Sequence, residues 1–182
     1  MYKRQIDNRV SVFILIEALR ELKENPYDVY GVFTVQEEVG IRGANVSTQQ
    51  IQPDFGFGLD TTIAYDVPGA APHEKITELG KGAAIKVMDS STICDYRMVK
   101  YMKEVAKNHN IKHQLEILTG GGTDTAGIQR FTPGGSIAGA VSIPTRHIHQ
   151  VIEMADKNDI RDSIDLLINS IKDLDKFDWS FK

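Results

Sequence analysis

Cysteine occurs once, as Cys94, in a chain of 182 residues. A single thiol excludes an intrachain disulfide and a multi-cysteine zinc site, and it suits a reducing compartment. Any metal held by this chain must use His, Asp and Glu. Positive charge is also in deficit: 21 Lys and Arg stand against 25 Asp and Glu, a formal net charge of −4. There is no overall positive field to hold nucleic acid or an anionic membrane. Long apolar runs are missing, since nothing approaches the roughly 18 residues of a membrane span. The charged opening Met1-Tyr2-Lys3-Arg4-Gln5 lacks the apolar centre of a signal peptide. Together these absences predict a cytoplasmic protein with neither nucleic acid nor membrane as a partner. What remains, 41% apolar and 25% charged residues, has the composition of one soluble globular domain able to bury a core.

Apolar residues at Val10, Phe13, Ile14, Leu15, Ala18, Leu19 and Leu22 form a broad stripe at helical spacing, which Asn25-Pro26 ends. Val29 to Val35 is short, β-rich and apolar almost throughout, the pattern of a strand covered on both faces. Phe55 to Tyr65 reads as a second strand interrupted by Asp60, and Val67 to Gly82 as a Pro- and Gly-rich loop. Further strands are expected at Ala83 to Met88, Leu115 to Leu118 and Ser136 to Ile143, with a helix marked by Cys94, Met98, Tyr101, Met102 and Val105 between the first two. Ile160, Ile164, Leu167, Ile168, Ile171 and Leu174 share one face of a closing helix, with Asp159 and Asp162 near its start. Helices alternating with short apolar strands imply an α/β sandwich with a mixed, largely parallel sheet.

In such sheets ligands collect beyond the strand ends, and the chemistry-bearing residues lie there. Glu37 and Glu38 follow an apolar run directly, and adjacent carboxylates at a buried end repel unless a cation or proton neutralises them. Asp60 breaks a run where an unpaired carboxylate is costly; taken alone, it reads first as a hydrogen-bonded loop Asp. Asp7 precedes the first helix and, taken alone, reads first as its N-cap. His147 and His149, two apart in a segment read as extended, face the same way, one a ligand and the other a pocket residue or simply hydrogen-bonded. The set says more than its members: two Asp, a Glu pair and a late His supply the oxygen and nitrogen donors that zinc, cobalt or manganese accept. A two-metal hydrolase needs a bridging carboxylate and a non-ligand carboxylate that takes a proton from water.

Six stretches, in order, carry a resemblance. They are Ile6-Asp7-Asn8-Arg9, Val35-Gln36-Glu37-Glu38-Val39-Gly40-Ile41-Arg42-Gly43-Ala44, Gly58-Leu59-Asp60, Leu79-Gly80-Lys81-Gly82, Gly121-Gly122-Thr123-Asp124 and Ser142-Ile143-Pro144-Thr145-Arg146-His147-Ile148-His149. The chain resembles the tetrahedral (TET) dinuclear-metal aminopeptidases, a family of glutamyl and deblocking aminopeptidases that includes some members labelled endoglucanase. The resemblance implies a three-layer, zinc-exopeptidase-like fold, a site for two divalent ions (zinc or cobalt, with manganese also suited) and peptide substrates with a free amino terminus. It implies Asp7 as the carboxylate bridging both ions, Glu38 and His149 as ligands of one ion, Asp60 as ligand of the other, and Glu37 as the general base. It places Gly121, Gly122, Thr123 and Asp124 beside the substrate pocket. On the residues alone that loop reads as a strand-to-helix turn, or weakly as a phosphate cradle. Arg146 either orients substrate or pairs with a nearby carboxylate.

The family pattern also departs from this chain. His147 stands where an aromatic residue is usual, and Gln150-Val151 replaces a small-residue and Pro pair. Before the position of Asp7 the family carries an amino-terminal catalytic segment, with an early His that ligates the second ion, and then an inserted dimerisation domain. Residues 1–182 correspond to the remaining part, one partial metallopeptidase catalytic domain truncated at its amino terminus, in which the second metal position has only Asp7 and Asp60. Exposed apolar surface or an unpaired edge is expected, as are association and impaired turnover. The family's homo-oligomer lacks its dimerising insert here. The alternative is a non-catalytic metal-binding or interaction remnant. A glycosidase using Glu37 and Glu38 leaves Asp7, Asp60 and His149 without a task. Cys94 is read as a small packing residue on an apolar helix face.

Overall fold

Alternation along the first strand decides where everything else sits. In the computed structural model, which describes residues 5–181, β1 (Phe55–Ile63) turns Phe55, Phe57 and Leu59 toward the main core. Gly56, Gly58 and Asp60 take the opposite face. A Cβ on Gly56 would run into Ile128, and one on Gly58 into Thr125. Those two glycines let α4 (Asp124–Phe131) lie directly on the strand, and they leave Asp60 at the end of the same file. The strand continues through Asp60 rather than breaking there, because the carboxylate stands on the face that becomes the site.

The sheet runs β1–β4–β2–β3. β1 and β4 (Ile137–Arg146) pair in parallel from Phe55↔Ile137 to Ile63↔Thr145. β2 (Ala83–Met88) and β3 (His113–Ile117) are also parallel to each other. β2 meets β4 antiparallel through Ala84↔Ser142 and Ile85↔Val141, and the short β5 (Met154–Ala155) folds back on the end of β4. α1 (Ile6–Glu21), α3 (Tyr96–Asn108) and α5 (Lys157–Lys172) cover one face. Their buried residues, among them Ile14, Met98, Met102, Leu166 and Ile168, join Ile85, Val141 and Ile143 in two cores. α2 (Arg42–Ile51) and α4 pack on each other across the opposite face. The expected α/β sandwich with a mixed, parallel-dominated sheet is the observed fold.

Three local expectations change, and one helix, α2, was not anticipated. The Val29 to Val35 run is not a strand: residues 29–34 make no backbone–backbone hydrogen bond among the described residues, and a strand exists only against a neighbour. It leaves Val29, Tyr30, Val32, Phe33 and Val35 exposed, the uncovered apolar surface that was expected. Cys94 lies before α3, not on its face, and is buried there; Asp95 caps the helix by accepting the Arg97 N–H at 2.9 Å. α2 follows the Gly40–Gly43 turn with no strong apolar stripe to announce it. The segment holding His147 and His149 is a turn rather than extended, closed by Gln150 N–H donating to the His147 carbonyl at 3.0 Å.

Candidate metal centre

Beyond the ends of the parallel strands β1 and β4, three side chains from distant parts of the chain meet. Ligand atoms of Asp7, Glu38 and His149 all lie within 4.8 Å of one another. His149 Nε2 is 3.0 Å from Asp7 Oδ2 and 3.6 Å from Glu38 Oε2. Asp7 does not cap α1. It and Asn8 have non-helical dihedrals, and the Asp7 carboxylate accepts from Thr61, while Asn8 Nδ2 donates to the Leu59 carbonyl at 3.0 Å. The front of α1 is thereby tied to the end of β1. Two oxygens and one imidazole nitrogen at this separation are the donor set of a three-ligand divalent site.

Glu37 stands beside this group without joining it. Burial, then the charges of Asp124, Glu38 and Asp7, push its carboxyl up to about 7. Asp60 is more deeply buried. Its Oδ1 accepts the Thr61 N–H at 2.8 Å, and burial followed by repulsion from Glu37 and Asp7 holds its carboxyl well above the usual carboxylate range. Asp7 is shifted upward too, by burial first and then by Glu38. A cation bound among these carboxylates would relieve their mutual repulsion.

The backbone around the site is held in an uncommon conformation. Gln36, Ile41, His147 and His149 have φ of 60°, 56°, 58° and 63°. A left-handed conformation is costly for residues with a Cβ, above all for a β-branched Ile, and persists where the surroundings determine it. It turns Glu37 and Glu38 off one segment and His149 off another toward the same point.

A cavity of about 500 Å³ opens from the cluster and passes Ile41, Ile63 and Lys86 to Asp89, Ser91 and the Gly120–Thr123 loop. Gly121, Gly122 and Thr123 therefore line the same space as Asp7, Glu37, Glu38, Asp60 and His149. Asp124 sits at the first turn of α4 and accepts from the Thr34 hydroxyl at 2.5 Å. Arg146 grips Asp66 with two bonds, Nε to Oδ1 at 2.6 Å and Nη2 to Oδ2 at 2.8 Å; it is absent from the cavity lining. His147 is outside the cluster.

Sequence reasoning missed Glu153, whose carboxylate accepts the backbone N–H of Asp7 at 3.0 Å and of His149 at 2.9 Å. It also missed the fully buried Lys86 at the cavity, with Nζ 2.5 Å from Glu116 Oε1 and 3.5 Å from Asp89 Oδ2. Burial opposes the Lys86 charge, yet Glu116 and Asp89 more than offset it and raise its pKa.

Comparison with known proteins decides the family. The M42 glutamyl aminopeptidase profile matches residues 1–166. The chain belongs to the M42 glutamyl aminopeptidase family. A putative aminopeptidase of Acetivibrio thermocellus is 42% identical over 168 residues, covering 92% of this chain and 50% of that protein. A TET aminopeptidase structure from the marine sediment archaeon Thaumarchaeota archaeon SCGC AB-539-E09 superposes with a TM-score of 0.90 at 40% identity, over 93% of this chain and 48% of that one. The Pyrococcus horikoshii TET1 peptidase, described as assembling into a tetrahedron or a large octahedral shell, gives 0.76 at 29% identity, over 91% and 48%. This M42 chain thus spans about half the length of the relatives it matches. No helix of its described residues is long and apolar enough to cross a membrane.

Proposed function

We propose that this M42 chain carries the metal-binding and catalytic residues of a metal-dependent aminopeptidase that removes amino-terminal residues from peptides. The observation that carries this reading is the convergence of Asp7, Glu38 and His149 with Glu37 beside them. Asp7, Glu38 and His149 would hold one divalent ion, and Asp7 with Asp60 would contribute to a second. Zinc, cobalt and manganese all suit the donors. Bound ions supply Lewis-acid polarisation of the scissile carbonyl and acidify water.

The remaining steps belong to the protein. Glu37, which stands beside the ligand cluster and outside it, takes a proton from the attacking water, holds it on its carboxyl oxygen and passes it to the leaving amine. The Gly121–Thr123 side of the cavity receives the amino-terminal residue, and Gly121 and Gly122, lacking a Cβ, put no side chain on that wall. Asp124 and Arg146 act from behind the site, through Thr34 and Asp66 respectively. The second position has two carboxylates among the described residues, so turnover by the 182-residue chain alone is slow.

The test is metal stoichiometry by mass spectrometry after chelation, reloading with zinc or cobalt and desalting, read beside hydrolysis of a free-amine peptide. Two ions with hydrolysis, or one ion with weak hydrolysis, supports the reading. One ion without any hydrolysis favours a non-catalytic metal-binding module, and no ion overturns the site.

A further inference from the structure

Two apolar side chains bracket the glycine loop at the far end of the cavity. A Cβ on Gly121 would meet Leu118 Cδ2 at 3.8 Å, and one on Gly122 would meet Ile41 Cδ1 at 3.6 Å. Ile63 lines the same space. These walls are fixed from behind. The Ile41 N–H donates to the Glu37 carbonyl at 2.9 Å and the Leu118 N–H to the Met88 carbonyl at 3.0 Å. The Ser90 hydroxyl donates to the Gly121 carbonyl, and a Cβ on Gly122 would strike Ser91 Oγ. The slot between Ile41 and Leu118 is thereby tied through Ile41 to the segment that carries Glu37.

Apart from the residues of the metal centre, the charged side chains on the cavity lining are Lys86 and Asp89, and neither has capacity for a charged guest. A carboxylate offers about four lone-pair sites, and Asp89 has four partners. The Ser91 and Thr92 N–H groups donate to Oδ1, both at 2.8 Å; the Thr123 hydroxyl donates to Oδ2 at 3.3 Å and Lys86 Nζ stands 3.5 Å from it. An incoming ammonium group finds no acceptor there. Lys86 already faces two carboxylates, Asp89 and Glu116, and the three groups sum to a formal charge of −1. A further carboxylate is repelled. We propose that this slot selects peptides whose amino-terminal side chain is apolar and of leucine or methionine size, with Ile41 and Leu118 as the residues that set the preference. An apolar side chain gains by leaving water for these walls, whereas a charged one loses its hydration without a partner. The preference departs from the glutamyl description that the family carries, and it rests on the peptidase reading proposed above.

The test uses the 182-residue chain loaded with zinc. Hydrolysis of leucyl, glutamyl and lysyl p-nitroanilides is compared as kcat/KM. Binding of the α-hydroxamates of leucine, glutamate and lysine is measured beside it by calorimetry, which needs no turnover. The expected result is a preference for the leucine compound over both others of about tenfold or more in each assay. Leu118→Lys puts a cation on the wall and should lower the leucine-to-glutamate ratio by about tenfold. Ile41→Asn places a residue that tolerates left-handed backbone at φ of 56°; it should weaken leucine hydroxamate binding while zinc content stays that of the parent. Tighter binding or faster hydrolysis of the glutamate or lysine compound, equal treatment of all three, or no hydroxamate binding overturns the proposal. Parent-like ratios in both variants overturn it too. Leucine-selective binding without hydrolysis of any substrate leaves the slot standing and removes the peptidase reading. Hydrolysis that favours glutamyl or lysyl substrates does the reverse, and a chain that retains no zinc overturns both.

Discussion

Glu153 reaches the backbone N–H of Asp7, 146 residues away in sequence, at 3.0 Å. Its other carboxylate oxygen accepts the N–H of His149 at 2.9 Å. One side chain thus sets the distance between two candidate ligands by their backbones and leaves their ligand atoms free. His149 sits in a left-handed turn with φ of 63°, and the bond to Glu153 is part of what maintains it.

Replacing Glu153 by Ala removes both acceptors and leaves all three ligand side chains in place. Groups that orient metal ligands typically contribute 10- to 100-fold in affinity. The expected outcome is a loss of about that size in zinc affinity, measured by competition with a chromophoric chelator. Gln retains one acceptor oxygen and should fall between. Unchanged affinity in the Ala variant would show that the turn holds itself.

Glu37→Gln separates the base from the ligands. Glu37 lies outside the cluster formed by Asp7, Glu38 and His149, so metal content by mass spectrometry should be that of the parent chain. Peptide hydrolysis should fall by roughly 10²- to 10⁴-fold, the range for loss of a positioned general base. Loss of metal instead would make Glu37 a ligand.

How legible each of these parts was in the sequence follows from the range of the interaction that makes it. Period-two alternation at Phe55, Phe57 and Leu59 and the helical stripe in α5 are local and were readable to within a few residues. The strand expected at Val29 to Val35 depends on a neighbour, which no local pattern reveals. α2 escaped because its sequence is mostly polar and lies under α4. The motif residues Asp7, Glu37, Glu38, Asp60 and His149 were nameable through resemblance, but Glu153 was not: an exposed-looking Glu four residues after His149 carries no signature until the turn is built. Asp159 is similar. It was read as a favourable charge at a helix start, yet it is buried and accepts N–H groups of Gly80 and Gly82, both at 2.7 Å, which explains the Gly80-Lys81-Gly82 stretch structurally.

The carboxylates make metal-free stability fall with rising pH. Glu37 moves from an ordinary 4.5 to about 7, and Asp7, Asp60 and Asp124 are shifted upward as well. The folded chain therefore holds more protons than the unfolded chain across this window, and the stabilisation present below the ordinary carboxylate range is lost as pH rises through about 7. Thermal unfolding in chelator should show a midpoint that declines between roughly pH 4.5 and 7.5. Zinc, binding the folded and ionised form, should raise the midpoint more at the upper end. A metal-free midpoint that is flat or climbs across this range contradicts the electrostatic account.

Lys86 tests the polar interior next to the cavity. Its ammonium is fully buried between Glu116 and Asp89, and the Thr62 hydroxyl donates to the same Glu116 oxygen at 2.7 Å. Asp89 has further donors in the N–H groups of Ser91 and Thr92, both at 2.8 Å, whereas Glu116 Oε2 has no hydrogen-bond partner among the described residues. Lys86→Met strands Glu116 in the interior, and breaking a buried pair in this way costs about 3–5 kcal/mol. Removing both charges with Lys86→Met and Glu116→Met should recover most of that loss, because Asp89 keeps its backbone donors. Urea unfolding of the parent, the single and the double variant separates the cases. A single-variant cost under about 1 kcal/mol, with no recovery in the double variant, would mean that water reaches the pair and that this floor is less dry than its burial indicates.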